Sequence, residues 1–280
     1  MKTVFIYNPA SGSALSKTEL KSLCEKYNLV IDKWLPINEK FTTELRLLMN
    51  RTIEVYVYGG DGTVNAVVNE IVGSDTILIP LPGGTLNHFT KDLGIPQVLE
   101  DAIRLQAKWK RRPIDVASVN GRYFINNSSI GVYARSLETR DVLSQKVAKW
   151  PAAAWATLKE IAQFRTYKIK DGGKWHRTPL VFVGNNHYSL SSNQLGVRSR
   201  LNKGTLSVYV TKTSSRLGMI RIGVEVLLGR RTDLVERKAT EYTLHVKQKK
   251  VTVSIDGEKV CLNTPLRYRI HAGEIFVRTP

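Results

Sequence analysis

Three glycines in four residues, Gly59-Gly60-Asp61-Gly62, followed by Thr63-Val64-Asn65-Ala66, stand between an apolar run and a helical pattern. A backbone without Cβ atoms can turn tightly and come close to a phosphate. The helix opening behind it offers unpaired N–H groups and a positive partial charge to the same anion. Thr63 and Asn65 add side-chain donors, and Asp61 is placed to hold Mg²⁺ or a proton at that point. The bland alternative is a glycine turn capped by Asp or Thr, and the strand-then-helix setting favours the phosphate reading over it. Two more loops of this kind open helices: Asn8-Pro9-Ala10-Ser11-Gly12 and Pro82-Gly83-Gly84-Thr85-Leu86-Asn87. Three such loops can line one cleft.

The elements that must position these loops alternate. Strand patterns at Val4–Tyr7, Leu29–Trp34, Ile53–Tyr58 and Thr76–Leu81 are separated by helical ones at Ser16–Tyr27, Thr43–Asn50 and Val64–Val72. Further helical patterns follow at Asn87–Leu93 and Gln97–Ala107. Repeated β-then-α units predict a Rossmann-like parallel sheet with helices on both faces, whose ligands bind at the carboxyl ends of the strands. From Arg111-Arg112-Pro113 onward the pattern turns β-rich, with strands expected at Ile114–Val119, Tyr123–Asn127, Leu180–Gly184, Leu206–Thr211, Tyr242–Val246, Val251–Ile255, Leu266–Ile270 and Ile275–Arg278. Helical stretches at Ser136–Phe164 and Leu217–Leu228 interrupt them. The expected organisation is an α/β domain over residues 1–112 and a β-sandwich-like domain over 113–280.

The 280 residues carry 42 Lys+Arg against 24 Asp+Glu, a formal charge of +18. A field of that sign gathers anions, whether phospholipid surfaces, nucleic acid or nucleotide phosphates. No stretch approaches the length of a membrane span, and the apolar start before Asn8-Pro9 is too short for a signal peptide, which predicts a cytoplasmic protein. Cys24 and Cys261, far apart and without ligand-spaced partners, are expected to be buried free thiols rather than a disulfide or zinc site.

The three loops together resemble the diacylglycerol kinase catalytic-domain family, in its bacterial lipid-kinase branch. Gly59-Gly60-Asp61-Gly62-Thr63 is similar to the signature of diacylglycerol, sphingosine, ceramide and NAD kinases. Asn8-Pro9-Ala10-Ser11-Gly12, Pro82–Phe89 and Leu93-Gly94-Ile95-Pro96 resemble segments of the lipid-kinase branch, and Phe124–Gly131 and Asp256-Gly257-Glu258 extend the resemblance towards the C-terminus. The resemblance implies ATP and Mg²⁺ as cofactors and a lipid hydroxyl as acceptor. It further implies a cleft between the two domains. Nucleotide binding then falls to Asn8, Pro9, Ala10, Ser11, Gly12, Gly59, Gly60, Asp61, Gly62, Thr63, Val64, Asn65, Ala66, Gly84, Thr85 and Asn87. Asp61 would organise metal and phosphates, and Glu258 would act as general base. Without the resemblance, Glu258 reads as a solvated residue of an Asp-Gly turn.

The chain departs from the family pattern where Ala66 stands for a usual Glu, His88 for a usual Asp and Lys203 for a usual acidic residue. His88 could donate to a phosphate oxygen or cap the helix it opens. Lys203 is expected to replace a structural metal, its ammonium bonding turn carbonyls directly. Trp150 and Trp155 among Lys146, Lys149, Lys159 and Arg165 suit a helix at a lipid interface, although Trp is more often packed in a core. The expected partners are a lipid substrate and an anionic membrane surface. The short clusters Lys108–Arg112 and Arg230–Arg231 carry no nucleic-acid motif, so nucleic acid is not expected. Rival readings are a kinase of a soluble nucleotide, as NAD kinases are, and a non-catalytic nucleotide- or lipid-binding homologue.

Overall fold

A computed structural model describes residues 2–9, 15–49, 53–131, 165–171, 173–189, 197–227 and 234–280. Ala10, Ser11, Gly12, the helix expected over 136–164 and Arg230-Arg231 lie outside the described residues.

The N-terminal strands β1 (Lys2–Tyr7), β2 (Lys33–Pro36), β3 (Ile53–Gly59) and β4 (Ile77–Pro82) pair in parallel in the order β2-β1-β3-β4. Their alternation sorts side chains by face. Val4, Ile6, Val55 and Val57 meet α2 (Phe41–Leu48) and α3 (Asp61–Ile71) in one core, which includes Phe41, Leu45, Val64, Val67 and Val68. Phe5, Tyr7, Tyr56 and Tyr58 meet α1 (Lys17–Lys26) and α5 (Leu99–Leu105) in another, through Leu20, Cys24, Ala102 and Ile103. Between these lies the short α4 (His88–Asp92). A capping box fixes the start of α1: Ser16 Oγ accepts from Glu19 N–H, and Glu19 Oε2 accepts from Ser16 N–H at 2.7 Å. The chain leaves β1 for one neighbour and β3 for the other, so the loops after β1 and β3 flank the point where the strand order reverses.

The sheet then continues into the C-terminal half. β16 (Leu266–Thr279) lies parallel to β4 at Phe276 and Val277, and antiparallel to β5 (Lys110–Val119) along its length. β13 (Glu241–Val246), β8 (Tyr167–Asp171) and β9 (Lys174–Thr178) extend it, and β6 (Arg122–Phe124) pairs with β5. A second, antiparallel sheet runs β12 (Leu234–Ala239), β11 (Leu206–Thr211), β10 (Leu180–Asn185), β7 (Asn127–Gly131), β14 (Lys250–Ile255), β15 (Glu258–Asn263). Val119, Phe124, Leu244 and Tyr268 of the first sheet pack on Val181, Val208, Val253 and Leu262 of the second, a sandwich core. A last helix, α6, spans Arg216–Leu227.

Several expected bounds shift. The strand expected at Leu29–Trp34 begins only at Lys33, because pairing with Val4–Tyr7 sets its register, while Leu29 and Ile31 pack on the core from outside it. Leu266–Ile270 and Ile275–Arg278 are one strand with a register shift between His271 and Ile275, where Gly273 has φ +69°. The expected strand Tyr123–Asn127 is divided: Tyr123 and Phe124 end β6, Ile125-Asn126 is a break, and Asn127 begins β7. Strands β8, β9, β12 and β15 were not anticipated from the sequence pattern. Cys24 is buried, its thiol pushed up to about 12 by burial, whereas Cys261 is exposed on the edge strand β15, contrary to expectation.

Candidate active site

Two of the glycine loops pack backbone on backbone. Gly83 N–H donates to Gly59 O at 3.1 Å, and a Cβ on Gly83 would lie 2.7 Å from Gly59 N. One on Gly84 would lie 2.4 Å from Gly60 Cα. No side chain fits there, so Gly83 and Gly84 are required for contact between the loops before any ligand arrives. Asn87, in the left-handed region at φ 51°, accepts from Gly84 N–H at 2.9 Å and fixes the turn into α4.

Helix α3 begins at this junction. Its first intrahelical bond is from Val64 N–H to Gly60 O at 3.1 Å, and no side chain caps it. The N–H groups of Asp61, Gly62 and Thr63 therefore have no intrahelical partner. Thr63 is buried against Gly59, and its hydroxyl accepts from Asn8 Nδ2 at 3.4 Å. The Asn65 side chain accepts from Asn69 Nδ2 at 3.2 Å. Both side chains accept in these contacts, which leave the Thr63 hydroxyl proton and the Asn65 amide N–H groups to serve as the expected donors. Thr85 is exposed, Val64 is a core residue of α3, and Ala66 packs at the edge of the same core.

Asp61 lies at the start of α3 and holds the start of α4. Its Oδ2 accepts from His88 N–H at 3.0 Å and its Oδ1 from Phe89 N–H at 2.9 Å. The cap of α4 is therefore Asp61, and the exposed His88 side chain does not serve as one. Across the cleft stands Glu258: a methyl on Gly62 would come within 3.1 Å of its Oε1. The structure brings Asp61, Gly62 and Glu258 to one place from the two halves of the chain.

What holds Glu258 there is a network the sequence did not disclose. Asp256, in the turn between β14 and β15 at φ 46°, accepts from Ile125 N–H at 2.8 Å, Asn126 N–H at 2.8 Å and Asn127 N–H at 2.9 Å. Burial pushes its carboxyl up to about 7, the charge of Asp61 adds to the rise, and the three N–H groups oppose it. The same Ile125–Asn126 segment is gripped from its other side by Arg198, which donates to Ile125 O and to Asn126 Oδ1, both at 2.5 Å. Arg198 Nε donates to Asp92 Oδ2 at 2.7 Å, at the far end of α4. A chain of contacts results, running from Asp61 through α4, Asp92, Arg198 and the 125–127 segment to Asp256, two residues before Glu258. Asn69 adds a second tie between α3 and β6, its Nδ2 donating to Tyr123 O at 3.1 Å and its Oδ1 accepting from Tyr123 N–H at 3.0 Å.

At the turn of Lys203, backbone N–H groups are bound by side chains. Asn186 Oδ1 accepts from Lys203 N–H at 2.9 Å and Asp115 Oδ2 from Gly204 N–H at 2.6 Å. The expected ammonium–carbonyl bonds are not found among the described residues, where Lys203 is exposed. Among the same residues no cluster of three or more metal-ligating side chains occurs, and no helix is long and apolar enough to cross a membrane.

Comparison with known proteins agrees with this geometry. Residues 2–119 match the family described as the diacylglycerol kinase catalytic domain. The chain is 26% identical over 272 residues to a protein named diacylglycerol kinase of Bacillus subtilis (strain 168), covering 90% of this chain and 88% of the relative. It is 31% identical over 215 residues, 71% of each chain, to a protein named "Probable lipid kinase YegS-like" of Klebsiella pneumoniae (strain 342). A crystal structure of a diacylglycerol kinase from Bacillus anthracis str. Sterne shares the fold, with a TM-score of 0.70 at 22% identity over 100% of this chain and 97% of that one. With the glycine loops, α3 and the Asp-Gly-Glu turn assembled as described, the chain belongs to the diacylglycerol kinase catalytic-domain family.

Proposed function

We propose that this protein is an ATP-dependent lipid kinase that transfers the γ-phosphate of ATP to the hydroxyl of a diacylglycerol-like lipid, as a cytoplasmic protein working at an anionic membrane surface. The observation that carries the reading is the meeting of Glu258 with Gly62 beside Asp61, across a cleft floored by glycine backbone. Phosphates fit this floor, because α3 opens on it with N–H groups that no side chain caps. Mg²⁺ also fits: it is ordinarily held by one or two carboxylates plus substrate phosphates and needs no all-protein cage. When bound, it would neutralise charge on the transferring phosphate.

The chain's own residues would then do three things. The N–H groups of Asp61, Gly62 and Thr63 hold phosphate oxygens. Asp61, anchored by His88 and Phe89 N–H, keeps lone pairs on both oxygens for the metal. Glu258 accepts the proton of the lipid hydroxyl as its oxygen bonds to the γ-phosphorus and the bond to the departing ADP breaks. The test is incubation of the protein with ATP labelled in the γ-phosphate and a total lipid extract, followed by identification of the labelled species. Label in a phospholipid is expected. Label on a soluble nucleotide, or none beyond a protein-free control, would overturn the reading.

A further inference from the structure

The half of the first sheet farthest from the glycine loops turns one face to the sandwich core and the other to solvent. The alternation is regular. Ile169, Leu244, Val246, Leu266, Tyr268 and Ile270 are buried, and the residues between them point the opposite way. Register places the outward residues beside one another: Lys168 opposite Arg177, Lys170 opposite Trp175 and His245, and Thr243 opposite Arg267. Lys247 joins the row through its N–H bond to Lys168 O at 2.9 Å. Arg269, opposite Glu241, completes it.

The charge on this face is one-sided. Glu241 is the only acid at the outward described positions of β8, β9, β13 and β16 as far as Ile270, and it is paired with Arg269 at 3.5 Å. Among the described residues no carboxylate pairs with Lys168, Lys170, Arg177, Lys247 or Arg267. Lys168, Arg177 and Lys247 line one open concavity with Trp175 and Gln248. Trp175 is 48% exposed, which is unusual for a side chain that gains by burial. A like-charged sheet face with an indole at its edge costs stability through self-repulsion unless an anionic surface meets it. Cations with a neighbouring Trp fit a phospholipid surface, where ammonium and guanidinium groups meet headgroup phosphates and an indole enters the interface.

We infer that the solvent face of strands β8, β9, β13 and the first part of β16 docks on an anionic phospholipid surface. This rests on the lipid-kinase reading for the choice of a membrane over other polyanions, and it names the surface residues that would make the contact. The concavity among Lys168, Arg177 and Lys247 takes a headgroup phosphate, and Trp175 anchors the edge.

The experiment is co-sedimentation of the full chain with phosphatidylcholine vesicles, with and without phosphatidylglycerol. It compares wild type with Lys168→Glu/Lys170→Glu/Lys247→Glu, Trp175→Ala and a control triple on the other sheet and its flank, Lys212→Glu/Lys238→Glu/Lys250→Glu. Melting temperatures confirm that each variant is folded. Since each basic residue near an anionic surface contributes a factor of about five, the first triple should lose about 100-fold or more in affinity. The control triple should lose only a few-fold, and Trp175→Ala should bind less tightly on anionic vesicles without gaining affinity for neutral ones. Equal losses in the two triples would overturn the inference, leaving only a diffuse field, as would wild-type binding by the first triple. Single-stranded RNA binding tighter than the vesicles at equal phosphate concentration, abolished by the same triple, would assign the face to nucleic acid instead. None of these arms contains ATP. Label transfer to lipid dispersed in detergent, measured on the same variants, therefore separates failure of docking from failure of the kinase reading.

Discussion

Arg198 and Asp92 form an ion pair at 2.7 Å with side chains 0% and 8% exposed, tying the end of α4 to the segment that holds Asp256. Removing one member of a buried pair leaves an uncompensated charge and costs about 3–5 kcal/mol, whereas replacing both with apolar groups costs less. Arg198→Met is expected to show that loss in urea denaturation, and Arg198→Met/Asp92→Leu to recover part of it. Additive losses would mean that the two side chains are not coupled.

The two loop glycines should separate by mechanism. Gly84→Ala drives a methyl into Gly60 Cα at 2.4 Å and should destabilise the protein by about 1–3 kcal/mol or more. Gly60→Ala meets Gly84 Cα only at 3.4 Å with φ at −80°, so its melting temperature should stay near wild type. Gly60 is the residue that precedes the uncapped start of α3, so the substitution is expected to act on phosphate binding and raise the KM for ATP. Equal melting temperatures for the two variants would contradict the loop packing.

Asp61→Asn carries two effects that differ in size. An amide offers one acceptor oxygen where the carboxylate serves two N–H donors, so loss of the α4 cap should cost about 1 kcal/mol. Turnover should fall on the order of 100-fold or more if the charge also organises metal and phosphate. A variant with the small stability loss and near-normal turnover would reduce Asp61 to a helix cap.

Asp256 gives a pH signature. Its folded pKa of about 7 lies above the ordinary value of 3.8, so the folded state binds this proton more tightly than the unfolded one. The associated stability is complete below about pH 4 and is lost as pH rises through about 7. The melting temperature of wild type minus that of Asp256→Asn should therefore fall across that window. A difference that rises with pH would reverse the assignment.

The glycine loops were legible in the sequence because each follows an apolar run and opens a helix, a local pattern that survives folding. That the sheet is parallel and carries helices on both faces followed from the same alternation, whereas its strand order did not. Arg198 was not legible: it is one basic residue among 42, in a loop, and its role depends on a partner 106 positions away. Strands β8, β9 and β12 escaped notice because their outward positions are charged and only alternate residues meet the core, as in Lys174-Trp175-His176-Arg177. Nor does a linear reading place Phe276 and Val277 beside β4, since that contact is made by the end of the chain returning to its beginning. Glu258 was found only through family resemblance, because its closeness to Gly62 joins positions almost 200 residues apart.

The central claim is that Glu258 takes the proton from a lipid hydroxyl while the loops around Asp61 hold the phosphate. The most direct measurement is transfer of labelled γ-phosphate to diacylglycerol in mixed micelles by wild type and Glu258→Gln, with ATP binding followed in parallel. General-base catalysis contributes typically 10²–10⁴-fold, so the variant should lose about that much turnover while binding ATP as wild type does. Wild-type transfer by Glu258→Gln would contradict the account.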